Sequence, residues 1–272
     1  MTSPSSLATA EIASLDGHVA PVAETVVPAT DEGFLRGDGA FEVLRVYRGR
    51  AFALADHLDR LERSAGNLRL LAVPRAELER EAVALLTERG GAEWDGCLRI
   101  VLTRGGRRLL LTEPLIQRVA RLRLGFVTYA PSRVLDGVKS LSYAGNMLAS
   151  RLARERGFDE ALLVTPHGRV LEAPTSSIFW VGRDGVLCTT PLAEHILESI
   201  TRGRVMGLVE VEERAIGTAE LLGAAEAFLA STTREVQPLG GIEDCVFEEP
   251  GPRTLEAAER LREQIAAELA AT

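Results

Sequence analysis

A mixed α/β fold of the α+β kind is what the sequence predicts. Three observations carry it. Runs with apolar residues at helical spacing and runs that alternate like strands are interspersed along the chain. Hydrophobic residues make up 46% and charged residues 26%, the balance of an ordinary globular protein rather than a disordered, collagenous or disulfide-scaffold chain. The length of 272 residues, at roughly 150 per domain, gives one large domain or two small ones.

A β-rich start over 17–27 leads into Asp31-Glu-Gly-Phe-Leu-Arg-Gly-Asp-Gly39, which reads as a turn or loop. Ala40 to Tyr47 alternates and ends at Arg48-Gly49-Arg50, a strand and hairpin. His57 to Leu71 carries Leu58, Leu61, Ala65, Leu68 and Leu71 at helical spacing, with His57 as a helix-start residue. Pro74 to Arg89 is a second helix, with Pro at its start and Gly90-Gly91 after it. Strands are expected over 97–103, 109–112 and 121–128. Tyr129-Ala-Pro-Ser132 is the linker candidate. Beyond it come a helix over 143–156 closed by Gly157 and strands over 161–165 and 169–171 around Pro166-His167-Gly168. Further strands are expected over 177–181 and 186–189, a helix over 200–209 and a strand over 209–214. A helix over 218–222, a strand over 227–230 and an amphipathic helix over 255–271 complete the reading.

Asp+Glu is 39 and Lys+Arg 31, a net charge of −8. An acidic chain without a basic block suits neither nucleic acid nor an anionic membrane. The N-terminus has no basic region and no long apolar stretch, so it does not read as a secretory signal. No apolar run reaches the length of a membrane span. Cys97, Cys188 and Cys245 form no C-x-x-C pair and read as free thiols of a cytoplasmic protein. His18, His57, His167 and His195 have no metal-ligand spacing, so no metal is expected.

The 31 cations divide into 30 arginines and one lysine, Lys139. Arginine solvates a surface as well as lysine does. It cannot act as a neutral amine, because its guanidinium stays protonated. A lone lysine in such a chain is either a chance survivor or an amine needed for imine chemistry. Val138 and Leu141 beside it suggest partial burial. Glu172, in Leu171-Glu-Ala-Pro-Thr-Ser-Ser-Ile-Phe179, is either an exposed strand-end acid or an acid that keeps a pyridine nitrogen protonated. The Ser199/Thr201 region opens a helix, and a helix start can hold a phosphate. Ala230-Ser-Thr-Thr-Arg-Glu235 is a hydroxyl-rich turn that supplies phosphate contacts or merely caps a loop.

In this order and spacing the motifs resemble the class IV aminotransferases, the fold type IV pyridoxal phosphate (PLP) enzymes. The resemblance runs over nearly the whole chain. It takes in Arg36-Gly-Asp-Gly-Ala-Phe-Glu42, His57-Leu-Asp-Arg-Leu61, Lys139-Ser-Leu-Ser-Tyr143 and Asp159-Glu-Ala-Leu-Leu163. Leu171 to Phe179, Thr190-Pro191, Ile200-Thr-Arg202 and Ser231 to Val236 complete it. It implies Lys139 as the Schiff-base lysine and proton shuttle and Glu172 as the partner of the pyridine nitrogen. Arg60, Ile200, Thr201 and Thr232 would bind the phosphate, Ser177 would position the cofactor strand, and Tyr143 would lie near the ring hydroxyl. It also implies a smaller N-terminal α/β domain over 1–128, a linker over 129–135 and a larger barrel-like PLP-binding domain with helices over 136–272. A homodimer whose partner completes each site is part of the same expectation.

Two positions depart from the family. Ser177 stands where many members have Asn, and Arg36 stands where an aromatic residue is frequent. Arg36 is either a substrate-carboxylate contact or a salt-bridged residue. Family members include D-amino acid, branched-chain L-amino acid and R-amine transaminases and aminodeoxychorismate lyases. The length and the Lys139-Ser-Leu-Ser-Tyr143 form resemble the D-amino acid and lyase branches. Phe41 stands where D-amino acid aminotransferases often have Tyr. Their Arg-x-His carboxylate trap is replaced by Thr103-Arg-Gly-Gly-Arg-Arg-Leu109. Arg104, Arg107 and Arg108 are therefore candidate carboxylate ligands or exposed hairpin charges, and Thr233 is a further substrate-site candidate. The expected activity is transamination from a D-amino acid, with R-amines as a further option, to a 2-keto acid. The alternatives are release of pyruvate and 4-aminobenzoate by the lyase, and branched-chain transamination.

Overall fold

The computed structural model describes residues 11–115 and 119–271. The first ten residues, which enter the reading of the N-terminus, lie outside them. The chain forms two compact units, Met1–Ile116 with Val138–Ser142, and Gln117–Gly137 with Tyr143–Thr272.

The first unit is an antiparallel sheet with helices. Its strands are β1 (Ile12–Leu15), β2 (His18–Pro21), β3 (Gly39–Tyr47), β4 (Arg50–Ala51), β5 (Gly96–Thr103) and β6 (Arg108–Glu113), in the order β2-β1-β6-β5-β3-β4. Its α-helices are α1 (Glu32–Arg36), α2 (Leu54–Asn67) and α3 (Arg75–Arg89). Alternation along β3 turns Ala40, Leu44 and Val46 to one side. There they pack with Leu58, Leu61 and Ala65 of α2 and Leu78, Ala82 and Leu85 of α3. Residues 138–142 return to this unit: Phe41 N–H donates to the Lys139 carbonyl at 3.0 Å and Leu141 N–H to the Gly39 carbonyl at 2.8 Å. A Cβ on Gly39 would lie 2.4 Å from the Leu102 carbonyl oxygen and 2.6 Å from Leu141 Cδ1. The close approach of the β5 backbone at Leu102 therefore requires glycine there.

The second unit is built on a mixed sheet. Its strands are β7 (Leu122–Thr128), β8 (Glu160–Val164), β9 (Ser177–Val181), β10 (Leu187–Thr189), β11 (Glu212–Glu213), β12 (Glu226–Ser231), β13 (Glu235–Ile242) and β14 (Cys245–Val246). The order is β11-β10-β9-β12-β13-β7-β8, with β14 paired to β13. Pairings β13–β7, β7–β8 and β10–β11 are parallel. The core holds Leu124, Leu162, Ile178, Trp180, Leu229 and Leu239. Helix α4 (Ala144–Glu155) packs on β7 and β8. Helix α5 (Ile200–Leu208) packs on α7 (Pro252–Ala271), and α6 (Thr218–Leu221) precedes β12. No described helix is long and apolar enough to cross a membrane.

Several elements differ from the sequence reading. The expected loop over 31–39 contains α1: Asp31 caps it by accepting from Gly33 N–H at 2.8 Å, and Gly37 ends it at φ 67. The strand over 169–171 is reduced to isolated bridges, and that over 209–214 to β11. The hairpin of β13 and β14 was not expected, because Pro238-Leu-Gly-Gly241 reads as a break; β12 and β7 on its two sides make it a strand. The division of the chain also differs from boundaries at 128 and 136. Strand β7 pairs with β8 and β13, and Tyr129 N–H continues that pairing to the Val164 carbonyl at 2.7 Å. Lys139 itself belongs to the first unit.

Candidate active site

In the first unit the structure gathers Lys139, Phe41 and Arg60. Lys139 Nζ lies 4.4 Å from the centroid of the buried Phe41 ring, within cation–π range. Its backbone N–H donates to Ser64 Oγ at 3.1 Å. Arg60, on α2 one turn before Ser64, is buried and donates through Nε and Nη2 to the two carboxylate oxygens of Glu42, each at 2.7 Å.

Glu42 and His57 are the functional candidates that sequence reasoning missed. His57 is not a helix-start residue; it lies inside α2, 1% exposed, with Nδ1 2.7 Å from Glu42 Oε2. Burial pushes the Glu42 carboxyl up, but hydrogen bonds from Arg60 and His57 and their charges outweigh it and hold it at about 2. Burial keeps His57 below the usual imidazole range against the pull of Glu42, and the charges of Arg60 and Lys139 push the same way. With Glu42 ionised, His57 Nδ1 is the donor and the ring is neutral. The signal was present in β3. Ala40, Glu42, Leu44 and Val46 share one face, and an acid on an apolar face needs buried cations or donors opposite it.

The four other arginines that sequence analysis singled out each meet an acid of their own unit. Arg36 pairs with Glu32, Arg104 with Asp38 at 2.9 Å and Arg107 with Asp16 at 2.7 Å. Arg108 reaches Glu81 at 2.8 Å and Glu77 at 3.0 Å. Arg104 also donates to the carbonyls of Leu68 and Arg69. Binding a substrate carboxylate would mean exchanging one of these pairs.

In the second unit, Glu172 Oε1 accepts from Leu197 N–H at 3.0 Å, just ahead of α5. Tyr129 has its hydroxyl pKa raised by burial and by the nearby Glu172 charge. The Tyr143 hydroxyl donates to the Pro174 carbonyl, which Asn146 also reaches at 3.0 Å. Tyr143 is thus fastened to the turn that follows Glu172. Ser199 caps α5 by accepting from Arg202 N–H at 3.2 Å, so Ile200 and Thr201 sit at the helix start, where backbone donors lack intrahelical partners. Arg202 is buried and donates to the Thr190 carbonyl at 2.9 Å and to Glu213, which anchors that helix start. Thr232-Thr233-Arg234 forms the three-residue loop joining β12 to β13, with Glu235 at φ 55. Arg234 reaches the buried Glu160 at 3.3 Å, and Ser150 Oγ donates to Glu160 at 2.6 Å.

These groups fit PLP. The first unit offers an amine and a rigidly held guanidinium. The second offers a carboxylate of fixed orientation for a pyridine nitrogen and a helix start for a phosphate. Ser177 Oγ and Ser231 Oγ are buried hydroxyls without a hydrogen-bond partner among the described residues, a need that a polar cofactor would meet.

Comparison with known proteins agrees with PLP as the cofactor. Residues 39–242 match the family described as amino-transferase class IV. A Methanocaldococcus jannaschii protein provisionally named a branched-chain-amino-acid aminotransferase is 34% identical over 86% of this chain and 88% of its own. A D-alanine aminotransferase of Bacillus licheniformis is 32% identical over 94% of this chain and 98% of its own. The crystal structure of a branched-chain aminotransferase from Thermoproteus uzoniensis with norvaline superposes with a TM-score of 0.87 at 29% identity, covering 95% of this chain and 96% of that one. The chain belongs to the class IV aminotransferases and is a PLP-dependent enzyme of fold type IV.

Proposed function

We propose that this enzyme moves an amino group from a D-amino acid to a 2-keto acid. The observation that carries this choice is the near end-to-end match with the D-alanine aminotransferase, 98% of whose length is covered. When bound, PLP supplies an electron sink for cleavage of the substrate's Cα–H bond. Lys139 holds the cofactor through its ε-amine and, once released, carries the Cα proton. Glu172 keeps the pyridine nitrogen protonated. Arg60, the α5 start at Ile200 and Thr201, and Thr232 hold the phosphate, with Ser177 and Tyr143 positioning the strand and turn beside it. Phe41 and Thr233 line the substrate side, and a carboxylate is met by one of Arg36, Arg104, Arg107 or Arg108. R-amines extend the same donor class.

A cytoplasmic homodimer is part of the proposal. Phe34 and Leu35 expose apolar surface on α1, which a second copy would cover. Cys97 and Cys188 are buried free thiols, which suits a reducing compartment. Branched-chain transamination is the second reading, favoured by the archaeal relative and by the Thermoproteus structure.

One half-reaction assay decides the donor. D-alanine is expected to convert the holoenzyme to its amino form faster than L-leucine or L-valine does. Faster conversion by the L-amino acids would establish the second reading. Pyruvate and 4-aminobenzoate from aminodeoxychorismate, with no half-reaction from any amino acid, would establish the lyase. Glu172→Gln is expected to leave the cofactor bound and to slow Cα–H cleavage in single turnovers roughly tenfold or more, because the sink weakens when the ring nitrogen is not held protonated. An unchanged single-turnover rate would remove that role from Glu172.

A further inference from the structure

Glu42 is an acid on the apolar, helix-facing side of β3, and it accepts three hydrogen bonds of 2.7 Å from two residues one helical turn apart. The elements that carry this cluster also fasten the lysine. Strand β3 donates from Phe41 N–H to the Lys139 carbonyl, and α2 accepts at Ser64 from Lys139 N–H. We propose that Glu42 and His57 are positioning residues for Arg60 and for the ε-amine of Lys139. Glu42 fixes the guanidinium plane and supplies the negative charge of the cluster, and His57 fixes Glu42. The inference rests on the assignment of Lys139 and Arg60 as cofactor-holding residues.

Charge balance supports it. Glu42 and Arg60 carry opposite charges and His57 is neutral, while the Lys139 charge is felt at His57, so the amine and the cluster are electrostatically coupled. Removing the carboxylate takes away the negative charge that answers the buried Arg60. Another charged group near Phe41 is Arg99, whose guanidinium carbon lies 5.3 Å from the ring centroid and whose charge Glu113 answers at 2.8 Å. Arg60 reaches both carboxylate oxygens and His57 adds a second bond to Oε2, so the carboxylate is held from two sides. A guanidinium held in one plane loses little freedom when it meets a phosphate.

Four full-length variants test this, with two readouts. One is the equilibrium affinity of the apoprotein for PLP; the other is the pH midpoint of the visible absorption band of the holoenzyme. Glu42→Gln and His57→Phe are expected to weaken PLP binding by about 10- to 100-fold. Glu42→Gln is also expected to lower the midpoint by on the order of one pH unit, since it removes a negative charge that favours the protonated form. His57→Asn keeps a donor toward Glu42 and is expected to recover most of the affinity. Where Glu42→Gln does not fold, the two His57 variants carry the comparison. A purely structural tie would lower Tm in these variants and leave affinity and midpoint at wild-type values, and that result overturns the proposal. A visible band that survives Lys139→Arg would overturn the lysine assignment and the positioning role together. A band lost there, with Glu42→Gln and His57→Phe binding PLP like wild type, would overturn the positioning role alone.

Discussion

Lys139→Arg is expected to remove the visible band of the purified protein and to cut turnover by about 10²- to 10⁴-fold or more, the range lost with a proton-transferring side chain. The substitution is the most conservative in charge that this chain offers. Thirty arginines already serve it as solvating cations, so nothing about surface charge or solubility changes. What disappears is an amine that can lose its proton and bond to carbon, since a guanidinium remains protonated at any working pH. Absorption spectra and single-turnover rates of the two proteins, at equal PLP loading in the assay, measure it. An active, coloured Lys139→Arg protein would return the lone lysine to chance.

Glu42→Ala carries the largest expected cost in stability, about 3–5 kcal/mol in urea unfolding, because it breaks the buried ion pair with Arg60. Glu32→Ala, which removes the exposed partner of Arg36, is expected to cost no more than about 1 kcal/mol. The pH dependence has a defined sign. The folded-state pKa of Glu42 is depressed to about 2 from an ordinary 4.5. Its stabilising contribution is therefore complete above about pH 4.5 and is lost as the pH falls toward 2. The wild-type protein is expected to lose more stability across that window than Glu42→Ala does. Parallel acid-unfolding curves would show that Glu42 is not the group responsible.

The legible parts of the fold were those set by local chemistry. Pro74 ahead of α3, Gly90 after it and the alternation through β3 each act within a few residues, and the structure has those elements where the sequence puts them. Strand β13 was not legible because Pro238, Gly240 and Gly241 argue locally for a break. Its pairing is decided by β12 and β7, the latter more than a hundred residues away in sequence. The candidate site divides the same way. Lys139, Glu172 and the Ser199–Thr201 helix start stand out by residue type and neighbours. His57 did not, because a histidine in an amphipathic helix is ambiguous until Glu42 is seen across from it. The arginines of the 104–108 hairpin drew attention by number, but what they meet is a set of acids scattered from Asp16 to Glu81.

The excursion of residues 138–142 into the first unit constrains how this gene can be divided. A fragment ending near residue 116 would keep six strands and lose the segment that occupies the margin of β3 at Gly39–Phe41. Bare main-chain donors and acceptors there would invite association with other chains. The complementary fragment would carry Lys139 on a strip cut off from the β3 edge it pairs with. No single cut yields two self-sufficient halves, so exchange of one half between relatives must carry this five-residue strip along with the sheet it completes.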